Sequence, residues 1–278
     1  MLRPMTDPTQ TQPAFDTAER TMWSGRAHAY AASFGRLCAH PVERLLDAAE
    51  IETKTYVLDV GTGTGTAALA ALARGARVSA VDADAGMAVV ARAAGVDARV
   101  AALPQLPFSD GEFDAAVGNF VINHVGRPRA ALTELRRVLK PGGRIALTLW
   151  GARRGAGQEL FGRAFAAAGA VIPADLPRLD PAEDFARTAD GFAKLLREAG
   201  FTDAEAVELE WEHRTTLDEW WGGPAAGVAT AGLVVASQDA GTVVEIRREY
   251  ERLAAEFAAG GHELALPHIA VLACGRAG

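Results

Sequence analysis

Apolar and polar positions along this 278-residue chain follow two different periods, and the change between them outlines the architecture. A helical period runs through 14–35. A second helix is expected over 40–50, where His40-Pro41 places proline at a first helical position. From Tyr56 onward, short apolar β-branched runs alternate with helical segments. Strands are expected to start at Tyr56 and to cover 77–82, 98–102, 113–120 and 144–150. Helices are expected from Thr66 to Ala73, over 85–94 closed by Gly95, and over 128–139 with Pro128 near the start. Pro141-Gly142-Gly143 reads as a turn. Strands separated by helices predict an α/β fold with a parallel, doubly wound sheet.

The alternation weakens after Trp150. Residues 151–185 mix an Ala/Gly-rich helix with a Pro/Asp-rich loop. After these come a helix over 190–199, a strand over 204–214, a mainly helical block over 217–260 and a last strand over 267–274. The stretches 151–185 and 215–240 are expected to cover the carboxyl edge of the sheet, where such folds bind ligands. No internal repeat or coiled-coil heptad is visible.

Composition narrows the partners. Hydrophobic residues make up 49% of the chain, enough for a packed core, and the formal net charge is −7. An acidic surface repels phosphate backbones, which argues against nucleic acid as a partner. No apolar run reaches membrane-spanning length, and 1–13 lacks the apolar core of a signal peptide, so a cytoplasmic protein with a disordered lead-in is expected. The two cysteines, Cys38 and Cys274, are expected to be reduced thiols. No His-x-x-x-His or Cys-x-x-Cys spacing occurs, so no metal site is expected.

The sharpest chemical signal is Val57-Leu58-Asp59-Val60-Gly61-Thr62-Gly63-Thr64-Gly65. A strand runs into a turn with glycine at alternate positions, then into the helix opened by Thr66. Glycines let the backbone turn and approach a ligand, and free N–H groups at the helix start face it. Asp82 ends the next strand, where a carboxylate can accept hydrogen bonds from ribose hydroxyls. A nicotinamide-dinucleotide loop needs Gly-x-Gly-x-x-Gly/Ala, but here Gly65 comes one position early and Ala67 one late. A P-loop is excluded, because no Gly-Lys-Ser/Thr comes after the glycines.

The loop resembles motif I of the class I S-adenosylmethionine-dependent methyltransferases. Val81-Asp82-Ala83-Asp84-Ala85-Gly86-Met87 resembles the family's second motif. Leu106-Pro107-Phe108-Ser109-Asp110-Gly111-Glu112-Phe113-Asp114 and Leu135-Arg136-Arg137-Val138-Leu139-Lys140-Pro141-Gly142-Gly143-Arg144 resemble the small-molecule branch that includes the ubiquinone and menaquinone methyltransferases. The resemblance covers about 55–150 and implies a Rossmann-like sheet of seven strands, mainly parallel. It implies an N-terminal helical cap over 14–50, a cofactor-binding core over 51–150, and a segment 151–278 that completes the sheet and covers the acceptor.

For the cofactor, S-adenosylmethionine, the resemblance implies contacts from Asp59, Gly61, Thr62, Gly63, Gly65 and Ala83, with Asp82 on the ribose and Met87 against the adenine. The acid usual after the third strand is replaced by Ala102, leaving the backbone of Ala102 and Leu103 for the adenine. Tyr30, seven residues after Trp23 and four before Phe34, belongs either to a cap over the methionine end or to the core. Asn119 either bonds the methionine amino group or caps the next helix. His124 is a candidate general base, because its ordinary pKa suits proton transfer, or a helix-start histidine bonded to backbone. Trp150, Trp220 and Trp221 are candidate walls for a small aromatic or apolar acceptor. Arg153 and Arg154 either hold an acidic acceptor or are solvated.

The expected activity is methyl transfer to a small metabolite by a monomer or homodimer in bacterial specialised metabolism. The alternatives are a cyclase or decarboxylase that binds the cofactor without transferring its methyl, a binding module that never consumes it, and a nicotinamide-dependent oxidoreductase.

Overall fold

The computed structural model describes residues 14–278, so the lead-in expected over 1–13 lies outside the described residues. Four short helices come first: α1 (Ala14–Trp23), α2 (Ala27–Ala32), α3 (Phe34–Cys38) and α4 (Val42–Ala48). The helical region expected over 14–35 is thus divided by two breaks. Gly25 turns at φ +75°, and Ser33 leaves helical geometry while its Oγ donates to Ala29 O at 2.6 Å.

The alternating part contains β1 (Tyr56–Val60), α5 (Thr66–Ala73), β2 (Arg77–Asp82), α6 (Ala85–Ala93), β3 (Ala98–Val100), β4 (Phe113–Gly118), α7 (Pro128–Val138) and β5 (Leu139–Leu149). Then come α8 (Ala156–Ala167), α9 (Ala189–Glu198), β6 (Phe201–Thr216), α10 (Leu217–Ala225), α11 (Ala229–Ala236), α12 (Ala240–Ala254) and β7 (Glu263–Ala277). The seven strands form one sheet in the order β3-β2-β1-β4-β5-β7-β6. The first five pair in parallel, and β7 runs antiparallel to both β5 and β6. The fold is the doubly wound, mainly parallel seven-stranded one expected.

Central strands covered on both faces need apolar side chains throughout. Val57 through Val60 are all buried, Asp59 included. Leu45, Leu46, Ala68 and Ala88 pack one side of the sheet, and Leu132, Leu135, Phe192 and Leu195 pack the other. The chain winds outward from β1 through β2 to β3, then returns to β4 on the other side of β1. This reversal opens a crevice at the carboxyl ends of β1 and β4.

Several boundaries differ from the sequence expectation. β3 stops at Val100, and Ala102 makes only an isolated bridge with Gln105. β4 stops at Gly118, because Phe120 takes φ +62°, outside the range of a strand. β5 starts at Leu139, which pairs with Phe113; residues 140–143 bulge out before Arg144 pairs with Ala115. The largest difference is the length of β6 and β7, sixteen and fifteen residues against five in β1. Their pairing continues from Glu205 opposite Cys274 to Thr216 opposite Glu263, so the two arms rise past the carboxyl edge.

Candidate active site

The glycine loop is held from beneath. The N–H groups of Gly61 and Thr62 both donate to Val81 O, at 2.9 and 3.0 Å. Thr62 Oγ1 donates to Asp59 Oδ2 at 2.7 Å. Burial raises the Asp59 carboxyl to about 6, against the opposing hydrogen bond from Thr62. Gly61 takes φ +67°, and a Cβ there would lie 2.4 Å from Val121 Cγ2. At Gly65, φ is +95° and a Cβ would crowd Val96 at 3.1 Å. Asp59, Thr62 and Gly65 shape the loop, whereas the crevice is lined by Gly61 and Gly63. The turn has to be buttressed before it can present its backbone.

A cavity of about 560 Å³ occupies the crevice. That lies within the range of about 300–1,000 Å³ typical of small-molecule sites. On the glycine-loop side it is lined by Gly61, Gly63, Asp82, Ala83 and Met87, with Ala102 and Leu103 beyond them. Asp82 is the best-anchored group there. Its Oδ2 accepts from Gly63 N–H and its Oδ1 from Asp84 N–H, both at 2.8 Å. Burial raises its pKa, opposed by these two hydrogen bonds. Asp84 Oδ1 caps α6 by accepting from Met87 N–H at 2.8 Å.

The N-terminal helices close this side, and Trp23, Tyr30 and Phe34 all line the cavity. Trp23 meets Tyr30 edge-on at 5.6 Å and His124 at 5.2 Å. Burial pushes the Tyr30 hydroxyl well above the usual phenol range. Both cysteines are free and buried; burial pushes the Cys38 thiol, in the cavity wall, up to about 12.

Beyond β4 the chain makes a tight, strained corner. Asn119 lines the cavity, but its amide is committed on both sides. Nδ2 donates to Cys38 O, and Oδ1 accepts from Thr148 Oγ1, both at 2.7 Å. It does not cap the next turn, whose N-cap is Phe120, and its amide keeps one donor and one lone pair beyond these two bonds. Thr148 on β5 and the end of α3 converge on the strand tip. Phe120 comes next, in the left-handed region, its N–H on Thr148 Oγ1 at 2.9 Å. A bulky residue there is strained, and such strain concentrates at functional sites. His124 ends a 3-10 turn over Val121–His124 and lines the cavity. Its Nδ1 lies 2.8 Å from Glu19 Oε2, a side-chain partner in place of the backbone one considered from sequence. Trp23 Nε1 donates to the same oxygen at 3.3 Å, and Asp16 Oδ1 accepts from Gly126 N–H at 2.6 Å.

The opposite side is aromatic. Trp150 stacks on Phe120 with ring centroids 4.0 Å apart, and Phe161 stacks on Trp220 at 5.8 Å. All four line the cavity, together with His268. Trp221 does not: it packs on Tyr250 at 5.5 Å, with the Arg247 guanidinium 5.4 Å from its ring centre. Adjacent residues on α10 point about 100° apart, so the pair cannot share one wall. Arg153 pairs with Glu208 and Glu210 at 2.7 and 2.6 Å, whereas exposed Arg154 reaches the cavity mouth.

Sequence reasoning missed Glu19, Phe120, Phe161 and His268. A signal existed for the β6 face that His268 packs against. Leu209-Glu210-Trp211-Glu212-His213-Arg214-Thr215 alternates strictly, which puts Trp211 and His213 on the inner face of β6. His268 sits opposite Trp211 on β7, and the two rings stack at 6.0 Å.

Residues 58–147 match the family described as "Methyltransferase domain". This chain carries a methyltransferase domain. Its resemblance to the class I enzymes and their small-molecule branch stands on relatives as well as motifs. A demethylmenaquinone methyltransferase of Clavibacter sepedonicus is 47% identical over 97 residues, 33% of this chain and 39% of that relative. The chain spans about two-fifths of the length of such curated relatives. Among solved structures, a putative methyltransferase of Bacillus halodurans is 23% identical, with a TM-score of 0.53 over 85% of this chain and 98% of that one. Haemonchus contortus phosphoethanolamine N-methyltransferase 2, solved with S-adenosylhomocysteine, is 17% identical, with a TM-score of 0.56 over 95% of this chain and 61% of that one. The fold shared with these two structures extends past the methyltransferase domain into the carboxyl-terminal elements.

Proposed function

We propose that the protein transfers a methyl group from S-adenosylmethionine to a small aromatic or apolar acceptor. The observation that carries this reading is Asp82, whose carboxylate is fixed by two backbone N–H groups at the wall of the glycine-loop cavity. Each oxygen keeps a lone pair for a ribose hydroxyl. The fit extends to Gly63, where a Cβ would project to 3.5 Å from Tyr30 Cε1 and occupy space a ligand needs. Methylation of demethylmenaquinone, named for the curated relatives, supports methyl transfer onto a flat ring.

When bound, S-adenosylmethionine supplies an electrophilic methyl group on a sulfonium. The chain's own work is placement. Asp82 would hold the ribose end, Ala83, Met87 and Leu103 would flank the base, and the glycine loop would let the backbone approach the methionine end. Trp23, Tyr30 and Phe34 exclude water, and the aromatic side orients the acceptor. Orientation and desolvation supply much of the acceleration in such displacements. His124, with Nδ1 on Glu19, is oriented to take a proton at Nε2 when the acceptor must lose one. The same reading makes the protein a cytoplasmic enzyme with a small-molecule partner; among the described residues no helix is long and apolar enough to cross a membrane.

Calorimetry with S-adenosylmethionine and with NADH tests the donor. Binding of the first and not the second is expected, and the reverse would refute the assignment. Stoichiometric release of S-adenosylhomocysteine with a methylated product separates transfer from a role in which the cofactor is not consumed.

A further inference from the structure

The aromatic side of the cavity contains two polar atoms that the methyl donor does not account for. His268 lines the cavity yet is only 2% exposed. Its Nδ1 lies 2.7 Å from Leu266 O. A carbonyl oxygen only accepts, so Nδ1 carries the proton and Nε2 presents a lone pair. Nε2 has no hydrogen-bond partner among the described residues. Trp220 also lines the cavity at 2% exposure, and its buried Nε1–H has no partner among them. The two rings meet edge-on at 5.7 Å. Buried polar groups are rarely left unpaired in native proteins. Here an unpaired acceptor and an enclosed, unpaired donor belong to two residues that line one cavity.

The surroundings define what would pair with them. Trp150, Phe120 and Phe161 make this part of the lining aromatic, which suits a planar aromatic ligand. The imidazole is kept neutral: burial pushes it down to about 4, opposed by the Leu266 hydrogen bond and assisted by His213 and His40. His213 itself is 3% exposed, bonds His40 Nε2 at 3.3 Å, and is pushed down to about 4 by burial. Among the described residues no carboxylate hydrogen-bonds His268. The neutral lone pair on Nε2 suits the O–H of an uncharged hydroxyl and has no proton to give a carboxylate.

We propose that this side of the cavity is a subsite for a hydroxylated planar aromatic, whose O–H donates to His268 Nε2. Naming that ligand as the methyl acceptor rests on the function proposed above; the binding itself does not.

Calorimetry on the full chain with 2-naphthol and 2-methoxynaphthalene tests the subsite. The naphthol should bind about tenfold more tightly, as one hydrogen bond to a buried group allows. In His268→Phe the two should bind within about twofold of each other. Equal binding to the unaltered protein, no naphthol binding, or a preference that survives in His268→Phe overturns the proposal. A measurement without substitution guards against a variant that fails to fold. In ¹⁵N-histidine-labelled protein, the His268 Nε2 resonance should move on adding 2-naphthol and stay in place with 2-methoxynaphthalene; an unmoved resonance overturns the proposal equally. S-adenosylhomocysteine titrations on the same samples separate the two readings. Loss of that binding with the naphthol preference intact removes the methyl-transfer reading and leaves the subsite, and the reverse removes the subsite alone.

Discussion

The glycine-loop half of the cavity is assembled from backbone N–H groups and acids on neighbouring turns, whereas the aromatic half is assembled from rings on elements far apart in the chain. Gly61, Gly63, Asp82 and Met87 lie within 27 positions of one another, whereas Phe120 and His268 are separated by most of the carboxyl half. The electrostatics differ too. Burial raises the acids Asp16, Asp59 and Asp82 in and beneath the first half, and lowers His213 and His268 in the second. Both shifts favour the neutral form, by the same desolvation. The difference lies in what relieves it. Asp82 has two backbone donors, whereas His268 has one carbonyl and an open lone pair. The first half is finished by its own loop, and the second is left for a ligand to complete.

The largest effect that would break this comparison is expected at Phe161, stacked on Tyr250 at 5.3 Å and on Trp220 at 5.8 Å. Phe161→Ala should cost about 3–5 kcal/mol of stability in denaturant titrations. S-adenosylhomocysteine binding should persist wherever the variant is folded. A loss below about 1 kcal/mol would show that the aromatic cluster is not what holds the second half together.

The opposite pKa shifts predict opposite pH slopes. Between about pH 4 and 6.5 the unfolded chain binds more protons at His213 and His268 than the folded one, so these groups make stability rise with pH. Between about 3.8 and 6 the folded chain holds more protons at Asp59, so this group makes stability fall as pH rises. Asp59→Asn should therefore steepen the rise of stability with pH across that window, and His213→Leu should flatten it. Each change should be on the order of 2–3 kcal/mol across its window, read from denaturant midpoints at several pH values. Parallel profiles for both variants and the unaltered protein would contradict the assigned shifts.

Asp82→Ala comes next, with an expected loss of roughly 1.5–3 kcal/mol in S-adenosylmethionine affinity by calorimetry. Unchanged affinity would place the ribose acid elsewhere. The smallest effect sharpens the boundary of the aromatic half. Trp221→Phe should change naphthol affinity by less than about twofold and stability by about 1 kcal/mol or less, because Trp221 packs outside the cavity under Arg247. An effect as large as that of His268→Phe would put Trp221 in the subsite.

Legibility in the sequence tracked contact distance. The strand-turn-helix at 57–73 and the acid ending β2 are local patterns, and the positions of Gly61, Gly63, Asp82 and Met87 in the cavity stem from them. The roles of Asp59 and Gly65 could not be read this way. A motif does not distinguish a residue that touches a ligand from one that holds the loop, as Asp59 does through Thr62. Asn119 and His124 stand past the end of β4, where their order in the chain puts them. Their partners come from β5 and the N-terminal helices, up to 105 positions away, and no local pattern announces those.

The sequence by itself determined the parallel winding, the crevice and the glycine loop, because periodicity and turn chemistry act over a few residues and a sheet of alternating strands and helices has few ways to close. Tertiary structure alone decided the aromatic half. Trp220 and Trp221 are neighbours of equal chemistry, and only the packing of α10 sends one into the cavity. His268 becomes a cavity residue only because β6 and β7 pair beyond the sheet edge and bring it opposite Trp211. Burial, which sets the charge state of that ring, is a property of the assembled core that no short stretch of chain possesses.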